Sequence, residues 1–202
     1  VLYQGIQKFG LGKKTGVDLA GEASGKLKDP KAADIDYANM TFGQGIGTTS
    51  LQMITALSAI ANGGTLVKPY VVDKTIGTDG KITPIEHKPQ VQQLIKKENA
   101  NAVAQMMIKV VEGGSGYLTR IPGYKIAGKT GTAQVPRADG KGYETDKNIG
   151  SFIGFAPVDN PQFIILVRVD YPKTNTFAER SAVPAFAEIA KELFKYYNIP
   201  PS

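Results

Sequence analysis

The sequence predicts an α+β fold in which an antiparallel meander of strands is sealed by a terminal amphipathic helix. Three observations carry this expectation. Apolar residues recur at helical spacing in three stretches, and three strand-like apolar runs lie between the last two of them. The last two runs are joined only by Pro157-Val158-Asp159-Asn160-Pro161, too short for a helical crossover, so the pair reads as an antiparallel hairpin.

Taken in chain order, residues 15–36 are rich in Gly, Asp, Lys and Pro with little periodicity and read as loop with one short extended piece. A helix follows. Thr49 and Gln52 form a capping-box pattern, Leu51, Ile54, Leu57 and Ala61 make an apolar stripe, and Gly63-Gly64 ends it. The second helix carries Val103, Met106, Met107, Val110 and Val111 ahead of Gly113-Gly114. Strand-like runs cover residues 124–135, 149–156 and 162–170. The third helix starts near Pro184, a favoured first-turn residue, and presents Phe186, Ile189, Ala190, Leu193, Phe194 and Tyr197. All three stripes are expected to be core faces, the paired methionines included.

Composition removes several functional classes. The 202 residues, 42% of them hydrophobic, suffice for one sizeable core. The net charge of +6 comes from scattered lysines and arginines without interleaved stacking aromatics, so no nucleic-acid partner is expected. Absence of cysteine excludes disulfides, a thiol nucleophile and thiolate metal sites. His87 is the one histidine and lies in a segment flanked by Lys and Pro, which reads as a surface loop and argues against a Ser-His-Asp triad or a histidine metal cluster. No cofactor and no metal are expected. No apolar run approaches the roughly 18 residues of a membrane span, and the opening Val1-Leu2-Tyr3-Gln4 has no signal-peptide pattern. It reads like the middle of a helix, which leads us to expect native sequence upstream.

Gly123-Tyr124-Lys125-Ile126-Ala127-Gly128-Lys129-Thr130 fits the phosphate-loop pattern G-x-x-x-x-G-K-[ST] letter for letter. A phosphate loop needs a buried strand before its first glycine and a helix opening at Lys-Thr, whose amides hold the phosphate. Here residues 116–122 contain two breakers, and Gly131, Pro136, Gly140 and Gly142 follow, so a nucleotide-binding protein is the distant alternative. Residues 128–134 read instead as an extended edge strand. Such a strand offers backbone N–H and C=O groups to an extended peptide, and Gly131 lacks the Cβ that would hold the ligand away. The period of two puts Thr130 and Thr132 on one face, where two hydroxyls can hold a carboxylate. Lys129 points to the other face and reaches the same cleft only if the site wraps the strand edge.

Beyond the lysine motif, longer blocks stand in a fixed order. Phe9-Gly10-Leu11-Gly12, Thr15-Gly16-Val17-Asp18-Leu19 and Gly21-Glu22 come first, then Phe42-Gly43-Gln44-Gly45, Thr49 to Met53, Ala61-Asn62-Gly63-Gly64 and Lys68-Pro69. Gly128 to Gln134, Phe152-Ile153-Gly154-Phe155-Ala156-Pro157 and Ala182-Val183-Pro184-Ala185-Phe186 complete the series. In this order they resemble the class B penicillin-binding proteins, and specifically the part of the transpeptidase domain that follows the Ser-x-Asn motif.

The resemblance implies the fold of the serine transpeptidases and β-lactamases: a five-stranded antiparallel sheet with helices on both faces, of which residues 1–202 would be the C-terminal portion. It implies a D,D-transpeptidase that cross-links peptidoglycan stem peptides ending in D-Ala-D-Ala through an acyl-serine and that binds β-lactams. It assigns Lys129 and Thr132 to catalysis, Thr130, Gly131 and Thr132 to substrate binding, and places Gln44 near the cleft. The partners it implies are the stem peptide, β-lactams, the N-terminal remainder of the same protein and the cell-wall synthesis machinery, at the outer face of a bacterial cytoplasmic membrane. Neither Ser-x-x-Lys nor Ser-x-Asn occurs in residues 1–202, so these residues alone are expected to be inactive. A noncatalytic cell-wall scaffold and a β-lactamase or β-lactam sensor share much of this pattern and stand as alternatives.

Overall fold

The structure, a computed structural model, describes residues 2–27, 34–139, 142–174 and 177–201. The predicted loop at 15–36 is therefore described except for 28–33. Two short helices, α1 (Leu2–Lys8) and α2 (Asp34–Thr41), precede the first predicted one. Between them the chain is stitched by carboxylates: Glu22 accepts from Thr15 N and Oγ1 at 2.6 Å each and from Gly16 N at 3.0 Å. Asp18 accepts from the N–H groups of Val71 and Val72 at 2.8 and 3.1 Å. Among the described residues of this loop the extended piece is Lys26, bridged antiparallel to Gly47.

Helix α3 (Ser50–Ala61) begins where the capping box puts it, with Gln52 N donating to Thr49 Oγ1 and Thr49 N to Gln52 Oε1. It ends at Gly63 and Gly64, whose φ of 62° and 93° suits glycine. A Cβ on Gly64 would also lie 2.1 Å from the Ile95 carbonyl, so the glycine lets the 94–95 segment come alongside. The buried face differs from the predicted one. Leu51, Ile54, Leu57 and Ala61 are half-buried, while Gln52, Thr55, Ala56, Ala59 and Ile60 are buried. The cause is Gln52, whose amide is drawn inward to donate to the carbonyls of Lys13 and Ser24 at 2.5 and 2.6 Å.

Strands β1 (Thr65–Val67), β2 (Lys74–Ile76), β3 (Ile82–Pro84) and β4 (Val91–Gln93) form two small two-stranded sheets, β1 with β4 and β2 with β3. His87 lies in the loop before β4, half-buried, stacked on Tyr70 at 3.7 Å and hydrogen-bonded to the Val72 carbonyl. Helix α4 (Lys97–Gly113) buries Ala100, Ala104, Met107, Ile108 and Val111. Val103 and Met106 do not join that face, and Met106 is 68% exposed. One residue is about 100° of helix rotation, enough to turn Met106 outward beside its buried neighbour Met107.

The predicted meander is present as β5 (Ala127–Pro136), β6 (Tyr143–Ala156) and β7 (Phe163–Asp170), antiparallel in the order β5-β6-β7. Strand β5 starts three residues later than predicted, because Tyr124 bridges back to Ile121 in a turn. Strand β6 starts six residues earlier, since the hairpin continues to the Pro136↔Tyr143 pair past an irregularity after Gln134. Helix α5 (Ala182–Tyr196) seals the meander with Pro184 in its first turn. It buries Ala182, Val183, Phe186, Ala187, Ala190 and Phe194, but Ile189 and Tyr197 are exposed at 43% and 53%, again off the packed stripe.

Strand alternation divides the core between the two faces of β6. Phe152 and Ala156 join Ile126, Val183, Phe186 and Phe194 against α5, with the Phe152 and Phe186 rings edge to face at 4.7 Å. Phe155 joins Ala127, Ile60, Met107 and Ile108 against α3 and α4. Helices thus cover both faces, as the resemblance implied. Of the five strands it implied, the described residues supply three.

Candidate active site

The lysine motif lies on a strand. Lys129 is the third residue of β5 and Thr130 the fourth, paired to Ile153 and Phe152, and β5 forms one edge of the sheet. No helix opens at Lys-Thr, so the condition for a phosphate cradle is not met.

Register sets the direction of each group. Thr130 and Thr132 pair with Phe152 and Gly150 on the α5 face, while Lys129 and Gly131 pair with Ile153 and Ser151 on the other. Along an antiparallel strand the backbone groups of successive residues point alternately toward the partner and away from it. The Gly131 carbonyl faces β6, where it accepts from Ser151 Oγ at 3.4 Å. The N–H and C=O of Thr130 and Thr132 consequently point to the outer edge. Lys129 Nζ donates to the Thr130 carbonyl at 2.8 Å, which brings the ammonium around to that edge. The lysine and the two threonines thereby converge from opposite faces on the strand margin.

The side chains are held from behind. Thr130 Oγ1 lies 2.8 Å from Ser115 Oγ, which follows the end of α4. Thr132 Oγ1 accepts from Ala178 N at 3.4 Å, in the 3₁₀ turn Ala178–Arg180 that precedes α5. Thr132 and Lys129 are exposed, and Thr130 and Gly131 half-buried, so all four are open to a ligand. A Cβ on Gly131 would stand 2.7 Å from Ser151 Oγ, and one on Gly128 would stand 2.2 Å from Phe152 Cζ. Gly128 thus makes room for the buried Phe152 ring, whereas at Gly131 only the Ser151 hydroxyl would have to turn aside.

Beside β5 opens a cleft of about 940 Å³. Gly131, Thr132, Ala133 and Gln134 line it together with the 42–50 segment, Gln44 among it. Gln44, Gly131 and Thr132 therefore share this hollow, whereas Lys129 and Thr130 lie outside its lining. A smaller hollow of about 340 Å³, between Phe9, Lys14, Thr55 and Lys68, shares no residue with the strand. Among the described residues no group of three His, Cys, Asp or Glu side chains could hold a metal ion, and no helix is long and apolar enough to cross a membrane. Sequence reasoning did not single out Ser115, Ser151 or Arg168. Ser115 carried one local signal, its place between glycines at a helix end. Arg168 lines the cleft and is paired with Asp170 at 2.7 Å.

An antiparallel sheet with helices on both faces and a Lys-Thr-Gly edge strand defines a domain of the serine transpeptidase and β-lactamase class. The sequence model described as the penicillin binding protein transpeptidase domain matches residues 1–193, and the chain belongs to that family. It is similar to stage V sporulation protein D of Bacillus subtilis, with 37% identity over 99% of this chain and 31% of the relative. It is likewise similar to penicillin-binding protein PbpB of Mycobacterium tuberculosis, with 36% identity over 98% of this chain and 30% of the relative. Among solved structures, penicillin-binding protein 3 of Mycobacterium tuberculosis complexed with ampicillin superposes with a TM-score of 0.88 and 37% identity, over 99% of this chain and 46% of that one. The same protein has been solved with aztreonam. The chain spans about a third of the length of these curated relatives.

Proposed function

We propose that residues 1–202 supply the edge-strand half of the active site of a peptidoglycan D,D-transpeptidase, completed by a nucleophilic serine and its lysine from upstream in the same protein. The observation that carries this reading is the convergence of Lys129, Thr130 and Thr132 on the outer margin of β5. An extended D-Ala-D-Ala stem peptide would lie along that margin as an added strand. The hydroxyls of Thr130 and Thr132 hold its terminal carboxylate, and Gly131 gives clearance.

The serine oxygen attacks the penultimate D-Ala carbonyl, its proton passes through the neighbouring basic groups to the leaving amine, and the terminal D-Ala departs. A second stem-peptide amine then attacks the acyl carbon, the bond to the serine oxygen breaks, and the amine's proton returns through the same basic groups to the serine. The outward N–H of Thr132 is aimed at the oxygen that gains negative charge, and the Lys129 ammonium adds positive potential beside it. Loss of one such donor typically costs on the order of a hundredfold to a thousandfold in rate. Gln44, which lines the same cleft as Gly131 and Thr132, would contact the substrate further along. β-Lactams present the same carboxylate and a strained acyl group, and remain on the serine. The site works at the outer face of the cytoplasmic membrane, where the peptidoglycan and the cell-wall machinery are.

Lys129→Ala in the full-length protein tests this: it should abolish nearly all labelling by a fluorescent penicillin, and an unchanged rate would remove Lys129 from the mechanism. Residues 1–202 alone should take no covalent label.

A further inference from the structure

The hydroxyl behind Thr130 belongs to a built arrangement. Helix α4 ends at Gly113, and the turn after it is pinned by Gly114 N and Gly116 N, which both donate to the Val110 carbonyl at 3.1 and 3.0 Å. The turn rests on Phe152, a ring with no solvent exposure: a Cβ on Gly116 would stand 3.0 Å from its Cε2, as one on Gly128 would stand 2.2 Å from its Cζ. One buried ring thus sets the spacing between the turn and β5. At that spacing Ser115 Oγ meets Thr130 Oγ1 at 2.8 Å, with both residues half-buried and reachable by a ligand.

A hydroxyl has one proton to donate and two lone pairs to accept with. Two hydroxyls in contact can share only one of their protons between them. If Thr130 donated to Ser115, it would turn a lone pair toward an incoming carboxylate and repel it. If Ser115 donates to Thr130, the Thr130 proton is free to meet the anion, and the chain of two bonds polarises in the direction that strengthens the outer one. Ser115 also fixes the Thr130 side chain in the rotamer that serves the strand margin.

We propose that Ser115 is a positioning residue for Thr130: it donates its proton to Thr130 Oγ1 and so directs the Thr130 proton at the carboxylate of the stem peptide or β-lactam. This rests on the reading of β5 as a carboxylate-binding edge.

The test uses the full-length protein and compares acylation by benzylpenicillin with acylation by its uncharged methyl ester. Ser115→Ala should slow the second-order reaction with benzylpenicillin by about threefold to tenfold, the range for one net hydrogen bond. It should leave the slower ester reaction unchanged, and Ser115→Thr should restore the wild-type rate. In a Thr130→Ala background, Ser115→Ala should have no further effect. If the alanine variant does not fold, Ser115→Cys, of similar size and a poor donor, gives the same comparison. An unchanged benzylpenicillin rate overturns the proposal, as does an equal loss on the ester or in the Thr130→Ala background. In those cases a Lys129→Ala variant that has lost acylation leaves the transpeptidase reading standing; a Lys129→Ala variant that keeps it removes that reading as well.

Discussion

A methyl group added at residue 128 strikes the ring on which the site is built. The Cβ of Gly128→Ala would lie 2.2 Å from Phe152 Cζ and 2.7 Å from Cε1, whereas carbon atoms rest about 3.5 Å apart or more. The ring must therefore retreat by more than an ångström, but it has no solvent exposure, meets Phe186 edge-on at 4.7 Å and lies under Gly116. Overpacking of this kind costs about 1–3 kcal/mol. In a domain of this size that corresponds to a fall in Tm of roughly 2–12 °C. Thermal unfolding followed by circular dichroism reads it directly. Phe152→Leu, which shortens the obstructing side chain, should cost less in the Gly128→Ala background than in wild type, because the two sites are in contact. Equal costs in both backgrounds, or a Gly128→Ala variant with unchanged Tm, would refute the packing argument. The variant also separates the two readings of the lysine motif, since this glycine serves strand packing and not a phosphate.

Glu22 provides a pH test. Its carboxylate is held below its ordinary pKa, first by the Thr15 hydroxyl and then, against some desolvation, by the N–H groups of Thr15 and Gly16. The folded value is the lower one, so the contribution to stability is present above about pH 4.3, the unfolded value, and is lost as pH falls through the folded value. The Tm difference between wild type and Glu22→Gln should therefore close on acidification, and a difference that stays constant would contradict the assignment. The methionine pair gives a second contrast. Met107→Ala should destabilise by about 2–5 kcal/mol and Met106→Ala by no more than about 0.5 kcal/mol in denaturant titrations, with equal losses ruling out the observed helix rotation. Magnesium-ATP should produce no binding heat in calorimetry, and saturable binding would revive the phosphate-loop alternative.

What was legible in the sequence was what local chemistry decides. The Thr49–Gln52 box marked the start of α3 to the residue, because both of its hydrogen bonds close within one turn. The breakers around residues 128–142 excluded a helix after Lys129, and the period of two placed Thr130 opposite Lys129. Less legible were features that depend on distant partners. Met106 and Met107 are equivalent as letters, and only the position of the sheet decides which is buried. Residues 143–148 extend β6 with polar side chains and pair with β5 only at their ends, Asn148 with Gln134 and Tyr143 with Pro136, so no apolar alternation marks the arm in the sequence. The inward pull on Gln52 comes from carbonyls 28 and 39 residues away. Ser115 meets Thr130 through a turn whose position depends on Phe152, a residue far along the chain from both.

The most direct measurement is a crystal structure of the full-length protein acylated by benzylpenicillin. The ligand should run along the outer margin of β5, its acyl oxygen within about 3.1 Å of Thr132 N and its carboxylate against the hydroxyls of Thr130 and Thr132. A ligand seated away from that margin, or a further strand already hydrogen-bonded along it, would contradict the account.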